Sequence, residues 1–227
     1  MSNKSFFKKA VSFEAVKRFI DVVGSAILLV VFSPVIVITA CLIKLTSPGP
    51  ILVEKENSHM KRLGKNGRIF RLYKFRSMMV KADKLEKVDP RYRISYLEKR
   101  RKGNWKPTHD PRITNFGKII RKHSIDEIPQ LLNVLRGDMS LVGPRPYLRE
   151  ELEEQQKKFT GTDKYVDEML TVKPGITGYW QVTGRSDVIF DKRIQMDAYY
   201  ARKRSIFLDV LILLKTPWAM ISGKGAG

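Results

Sequence analysis

Apolar residues gather towards the two ends of the chain, and the middle is charged. From Val22 to Ile43 no charged residue occurs. A helix of that length runs about 33 Å, enough to cross a hydrocarbon core of about 30 Å. Ser33-Pro34 divides the run near its middle. Proline removes the amide that would bond the carbonyl of Val30 and clashes with that turn, so a kink is predicted there. The run reads either as one spanning helix with a tolerated proline or as a broken helix that enters one leaflet and returns. Both flanks are basic. Lys4, Lys8, Lys9, Lys17 and Arg18, against Glu14 alone, precede it; Lys44, Lys55, Lys61, Arg62, Lys65, Arg68, Arg71, Lys74 and Arg76, against Glu54 and Glu56, follow. The positive-inside rule puts both flanks on the cytoplasmic side, which suits the returning helix, although single spans with two basic flanks also occur. A secretory signal peptide fits poorly, since the run is too long and no A-x-A-like cleavage site follows.

The second apolar stretch, Ile206 to Ile221, is too short to span and is interrupted by Asp209, Lys215 and Pro217. It follows Tyr199, Tyr200, Arg202, Lys203 and Arg204, an edge suited to a headgroup layer. An interfacial helix and a buried core helix both satisfy this pattern. Phe6, Phe7, Val11 and Phe13, with Lys4, Lys8 and Lys9, offer a similar surface at the start.

Between the ends, residues 68–75 alternate as a strand and Gly64-Lys65-Asn66-Gly67 forms the turn before it. Residues 81–106 are charged and predicted helical. Ile125, Ile128, Leu131, Leu132 and Leu135 repeat at helical spacing, and Arg136-Gly137-Asp138 ends that helix. Ser124-Ile125-Asp126-Glu127 at its start reads as a capping box, with Ser124 as N-cap and Glu127 at N3.

Charge sharpens the picture. Lys plus Arg number 43 against 23 Asp plus Glu, a formal charge of +20, so an anionic partner is expected. Tyr92, Tyr96 and Trp105 interleaved with Arg and Lys would suit nucleic acid. No nucleic-acid-binding motif supports that, and beside an apolar run such a segment more readily meets anionic lipid. The single cysteine, Cys41, excludes an intrachain disulfide and Cys-rich zinc sites.

The candidate chemistry centres on Asp126 and Glu127. The capping box explains Glu127 structurally, and Asp126 would favour the helix dipole. Two adjacent carboxylates could equally supply a nucleophile and a metal ligand, with Arg121 and Lys122 just before them. His123, Ser124 and Asp126 do not make a triad, because neighbours on one turn cannot converge in the relay geometry. His59, His109 and His123 share no metal-ligand spacing. Gly143-Pro144-Arg145-Pro146 fixes an arginine between two prolines, as a rigid turn or as a presented guanidinium for phosphate. Lys173 to Gly178 and Val182 to Arg185 make a Gly-rich stretch that matches neither a Walker A loop nor a dinucleotide fingerprint.

Taken together, several stretches resemble the bacterial sugar transferase family, the monotopic polyprenyl-phosphate phosphoglycosyl transferases. They are residues 17–35, SPGP at 47–50, YKFRSM at 73–78, residues 110–148, KPGITGYWQVTGR at 173–185 and DVLILLKT at 209–216. They occur in family order, and together they are highly specific. The charged segment around 81–107 is longer than in many small members, and its role stays open. The resemblance implies the minimal catalytic unit, an α+β and mainly helical fold with residues 1–50 as an interfacial segment and a re-entrant membrane helix broken at Ser33 and Pro34. It implies residues 51–227 as a compact cytoplasm-facing catalytic domain with a C-terminal interfacial helix. It implies transfer of a sugar 1-phosphate from a nucleoside diphosphate sugar, a UDP-sugar, to polyprenyl (undecaprenyl) phosphate, with release of UMP. Asp126 would be the nucleophile, forming an aspartyl-phosphosugar intermediate, and Asp126 with Glu127 would place Mg2+. Lys74, Arg76, Arg121, Arg145 and Arg185 would contact phosphates. The implied setting is the inner membrane with the catalytic domain facing the cytoplasm, in surface glycan synthesis. Membrane lipid, nucleotide sugar and polyprenyl phosphate are the expected partners, nucleic acid is not, and a homo-oligomer stays open. The competing reading is a non-catalytic, membrane-anchored basic module that binds anionic lipid or nucleic acid.

Overall fold

The computed structural model describes residues 3–54, 57–82, 110, 112–183 and 188–221, with side chains from residue 13 onward. Helix α1 (Asn3–Val31) runs into α2 (Ser33–Thr46) across a bend of 60° between the apolar segments. The proline starts α2, where its missing amide costs no intrahelical bond, and Ser33 Oγ donates to the Val30 carbonyl at 2.7 Å. Among the described residues no single helix is long and apolar enough to cross a membrane; the bent pair together has that length and composition.

The next segment is a small antiparallel hairpin, β1 (Lys61–Leu63) and β2 (Ile69–Arg71), pairing Arg62 with Phe70. The turn lies at Gly64 to Gly67 as its sequence indicates, with Asn66 in the left-handed region at φ 56°. The strand is shorter than residues 68–75. After Arg71 the backbone leaves the hairpin: Tyr73 N donates to Asn133 Oδ1 at 2.8 Å and Phe75 N to the Asp126 carbonyl at 2.9 Å. Tertiary partners have taken the groups that a longer ladder would use.

Helix α3 (Asn115–Lys122) is capped by Thr114, whose side chain accepts from Gly117 N. A 3-10 helix (Ile125–Gln130) follows, then α4 (Leu131–Arg136), closed by Gly137 at φ 90°. Strand β3 (Ser140–Val142) pairs in parallel with β4 (Gly175–Thr177), and α5 (Arg149–Lys158) and α6 (Asp163–Leu170) lie between them in sequence. Helices α7 (Tyr179–Thr183), α8 (Phe190–Lys203) and α9 (Ile206–Ile221) complete the chain.

Three buried clusters hold these elements. Phe70, Leu131, Val134, Leu141, Val142, Tyr200 and Ile212 join hairpin, α4, β3, α8 and α9. Tyr147, Leu152, Val166, Met169, Phe190 and Ile194 join α5, α6 and α8. Ile43, Phe75 and Ile120 seat α2 against α3. The last cluster brings the bent helix pair to the turn that carries Asp126.

Lys17, Arg18 and Asp21 do not act as free flank charges. Lys17 Nζ lies 2.5 Å from Asp209 and donates to the Val142 carbonyl at 3.1 Å. Arg18 donates to the carbonyls of Val134 and Leu135, at 2.6 and 2.7 Å, at the negative end of α4. Asp21 accepts from Ser140 Oγ and Leu141 N, both at 2.9 Å. These contacts weld α1 to β3, α4 and α9. Two of the basic residues counted in the flank argument are therefore spent inside the protein.

Helix α9 has one buried face and one exposed apolar face. Asp209 and Ile212 are buried, whereas Phe207, Leu214 and Trp218 project into solvent, Trp218 with 77% of its surface exposed. Phe19, Val30, Val37 and Leu45 are similarly exposed on α1 and α2. A surface apolar on this scale marks an interaction face.

Candidate active site

The predicted capping box does not form. Ser124 sits in the left-handed region, φ 55° and ψ 20°, and its side chain makes no capping bond. Its carbonyl accepts from Glu127 N at 3.1 Å, so the backbone tightens into a 3-10 turn in place of a regular α-helical start. The local explanation for Glu127 as a capping partner of Ser124 Oγ therefore falls. A non-glycine residue at positive φ costs conformational energy and marks a position where the surroundings fix the chain.

That turn buries Asp126, with 2% of its surface exposed, and leaves Glu127 half-buried. Lys74 Nζ lies 2.8 Å from Asp126 Oδ2 and 3.3 Å from Glu127 Oε1. Lys74 is held by the same irregular strand. Asn133, fully buried, accepts from Tyr73 N and donates from Nδ2 to the Arg71 carbonyl at 2.6 Å. The Phe75–Asp126 backbone bond then fixes Lys74 across from the dyad. Burial pushes the Asp126 carboxyl above its ordinary range, as does Glu127; the Lys74 and Arg121 cations pull it back. The result is a desolvated carboxyl whose ionised form Lys74 and Arg121 favour against burial.

The Lys74 contact on Asp126 Oδ2 is an ion pair without hydrogen-bond geometry, so among the described residues this buried oxygen makes no hydrogen bond. Asp126 and Glu127 form a two-carboxylate oxygen set. No group of three or more His, Cys, Asp or Glu that could hold a metal exists among the described residues. Mg2+ takes one or two carboxylates and completes its shell with substrate phosphates and water, so these residues fit that ion.

The other sequence candidates divide. Arg121, in the last turn of α3, is close enough to favour ionised Asp126. Arg145 stands on the GPRP turn. Burial disfavours its charge, yet the carboxylates of Glu127 and Glu151 outweigh that and raise its pKa. Arg76 is buried and donates to the Pro50 carbonyl at 2.6 Å and the Ser47 carbonyl at 2.9 Å, tying the chain after α2 to the strand that carries Lys74. Arg185 lies outside the described residues, as does most of the charged segment 81–107. Ala82 and Asp110 are tied to one residue: Arg112 forks onto Asp110 and donates from Nη1 to the Ala82 carbonyl at 3.3 Å.

The Gly-rich stretch packs against the GPRP turn. A Cβ on Gly175 would come within 2.0 Å of Gly143 N, and one on Gly178 within 2.3 Å of the Gly143 carbonyl. Glycine lets two backbones touch, and that contact, with the Gly175 N to Pro144 carbonyl bond of 2.8 Å, stiffens the turn under Arg145.

Three residues near the site were not singled out by sequence reasoning. Asn133 lacks any motif signal. Asp197 is fully buried on α8, where burial holds its carboxyl well above the usual range; the Tyr147 hydroxyl donates to it at 3.3 Å. Arg62, on β1, was one basic residue among many; burial, with Arg145 adding, lowers its pKa to about 10, against Glu151 and Glu127.

The dyad turn thus holds a buried carboxylate against Lys74, with Arg121 near Asp126 and Arg145 near Glu127. The chain belongs to the bacterial sugar transferase family, whose model matches residues 12–223. It is 38% identical over 217 residues to the exopolysaccharide production protein ExoY of Rhizobium meliloti, covering 92% of this chain and 87% of that one. It is 40% identical to the undecaprenyl-phosphate galactose phosphotransferase of Salmonella typhimurium and to the UDP-galactose-lipid carrier transferase of Erwinia amylovora. Each of those alignments covers 92% of this chain but 41% of the relative, so the chain spans about two-fifths of their length.

Proposed function

We propose that the protein transfers a sugar 1-phosphate from a nucleoside diphosphate sugar, a UDP-sugar, to polyprenyl phosphate at the cytoplasmic face of the inner membrane. The observation that carries this is the Asp126 carboxylate, buried and held 2.8 Å from Lys74. A structural dipole partner needs neither burial nor a dedicated cation. The names of the Salmonella and Erwinia relatives, with their undecaprenyl-phosphate acceptor and UDP-galactose donor, support the substrate classes.

The chemistry runs in two displacements. An Asp126 carboxylate oxygen attacks the sugar-bearing phosphorus, the bond from that phosphorus to the bridging oxygen breaks, and UMP leaves with the bridging oxygen. The sugar phosphate is then an acyl phosphate on Asp126. A phosphate oxygen of the polyprenyl phosphate attacks the same phosphorus, and the Asp126 carboxylate departs, leaving a polyprenyl diphosphate sugar. Lys74 keeps Asp126 ionised between turnovers and balances charge when it is released. Phosphoryl transfer asks for positioning and charge neutralisation more than for acid–base work, and Arg121 and Arg145 supply cations at this place. Mg2+, held by Asp126 and Glu127 with the substrate phosphates, would neutralise charge on the diphosphate.

Membrane placement follows from the acceptor. Its phosphate lies at headgroup depth, and the bend at Ser33-Pro34 would let α1 and α2 enter and leave one leaflet, with α9 lying on the surface. The direct test is a panel of nucleotide sugars with Mg2+ and vesicle-borne undecaprenyl phosphate. Mg2+-dependent monophosphate release with one or more donors is expected. Diphosphate release would mean that the sugar C1–O bond breaks, and the proposal would fail.

A further inference from the structure

We propose that Arg76 is a positioning residue that holds Lys74 against Asp126 by clamping the chain where it leaves the bent helix pair; this rests on the reading of Asp126 as the nucleophile. The family resemblance places Arg76 among the phosphate contacts, but its guanidinium faces the protein. Nε donates to the Pro50 carbonyl at 2.6 Å and Nη2 to the Ser47 carbonyl at 2.9 Å. Nη1 is buried, with no hydrogen-bond partner among the described residues. Only 6% of the residue is exposed, so little of the fork is open to a ligand. The loop it grips is shaped round it. Gly49 sits at φ 114°, and a Cβ there would come within 2.5 Å of Val80 Cγ2 and 3.5 Å of Arg76 Cζ, so only glycine lets the backbone pass. Ser47 is also the C-cap of α2, which puts the clamp at the last turn of the helix pair.

From that loop the backbone leads directly to the dyad. Arg76 N donates to the Ile51 carbonyl at 2.8 Å, Leu52 bridges to Phe75, and Val53 N donates to the Lys74 carbonyl at 3.0 Å. On the other side of the same segment, Phe75 N donates to the Asp126 carbonyl at 2.9 Å. Residues 51–53, anchored at their head by the clamp, are therefore the template on which Lys74 is laid opposite the dyad, its Nζ 2.8 Å from Asp126 Oδ2. The charge-assisted bonds of a guanidinium to two carbonyls make that anchor stiff. Without it the template can slip along Lys74 to Arg76. A misplacement of about 1 Å, caused far from the chemistry, can cost about a hundredfold in rate.

A residue that acts through Lys74 has its own kinetic signature. The full chain in detergent with Mg2+ and nucleotide sugar, well below its melting temperature, is assayed for the rate of the first monophosphate release. Arg76→Met should slow that release by about tenfold or more, with the donor KM within about threefold of wild type. Arg76→Lys, which can reach one carbonyl but not both, should recover part of the rate. In a Lys74→Met background, Arg76→Met should cost less than about threefold, because the group it positions is already gone. Gly49→Ala disturbs the loop without removing a charge; it should slow release at unchanged KM, and it serves if the arginine variants do not fold. A phosphate contact would show instead as a donor KM raised about tenfold with the rate at saturating donor kept. A merely structural arginine would lower the melting temperature and leave the rate of the folded protein unchanged. Either result, or losses that multiply in the double variant, would overturn the clamp. Failure of the underlying reading shows differently, as no monophosphate released by wild-type protein from any donor, and takes the proposal with it.

Discussion

At the residue scale, Asp126 sits between burial, which disfavours its charge and prevails, and the Lys74 ammonium at 2.8 Å, which opposes burial. Removing that ammonium with Lys74→Met leaves desolvation and Glu127 unopposed apart from Arg121, so the carboxyl rises further. The acid limb of the kcat/KM profile should move to higher pH in that variant; an unmoved limb would show that another group sets it. The stability effect of Asp126 has its own sign. Its folded-state pKa lies above the unfolded value of about 3.9, so ionised Asp126 opposes folding at higher pH. Asp126→Asn should be no less stable than wild type at neutral pH. Its relative stability should grow as pH rises from about 4 through the raised folded value, as denaturation at several pH values would reveal. A dipole role would instead cost about 0.3–1 kcal/mol. Residue-level legibility was uneven for the same physical reason. Asp126, Glu127 and Lys74 stood out because they fall in distinctive motifs. The capping box failed because Ser124 adopts φ 55°, a conformation that its serine-x-x-glutamate pattern does not record. Asn133 was invisible because its role comes from Tyr73 and Arg71, distant in sequence.

At the element scale, α1 is welded by buried polar contacts. Lys17 and Asp209 are both buried, and Tyr200 also donates to Asp209 at 2.6 Å. Lys17→Met leaves an uncompensated buried carboxylate and should cost about 3–5 kcal/mol in denaturant unfolding. Asp209→Leu added to it should return a large part of that loss. An additive double variant would mean that the pair is not coupled. The bend at Ser33-Pro34 was legible because proline acts locally, and the structure bends there by 60°. The strand over 68–75 was read too long because Asn133 and Asp126 compete for its backbone beyond Arg71. With Cys41 replaced, single cysteines near residues 14 and 48 should both react with an impermeant thiol reagent from the cytoplasmic side only. Reaction from opposite sides would make the pair a span.

At the scale of the whole molecule, the Ile43–Phe75–Ile120 cluster links the bent helix pair to the dyad turn, and α9 adds an exposed apolar face. Replacing Phe207, Leu214 and Trp218 together by serine should leave the fold intact, since these side chains are exposed. It should raise KM for polyprenyl phosphate in vesicles while sparing the first displacement, which needs only the soluble donor. Loss of both would point to a structural role for α9. The most direct test of the account is therefore the first displacement in isolation. Wild-type protein, mixed with its nucleotide sugar and Mg2+ without any polyprenyl phosphate, should release monophosphate in a burst about stoichiometric with enzyme, as a covalent intermediate requires. Intact-mass and peptide analysis of the quenched protein should find a sugar-phosphate adduct on Asp126, absent from folded Asp126→Asn. A fully active Asp126→Asn enzyme, or full turnover with neither burst nor adduct, would contradict the account and assign the attack to the lipid phosphate itself.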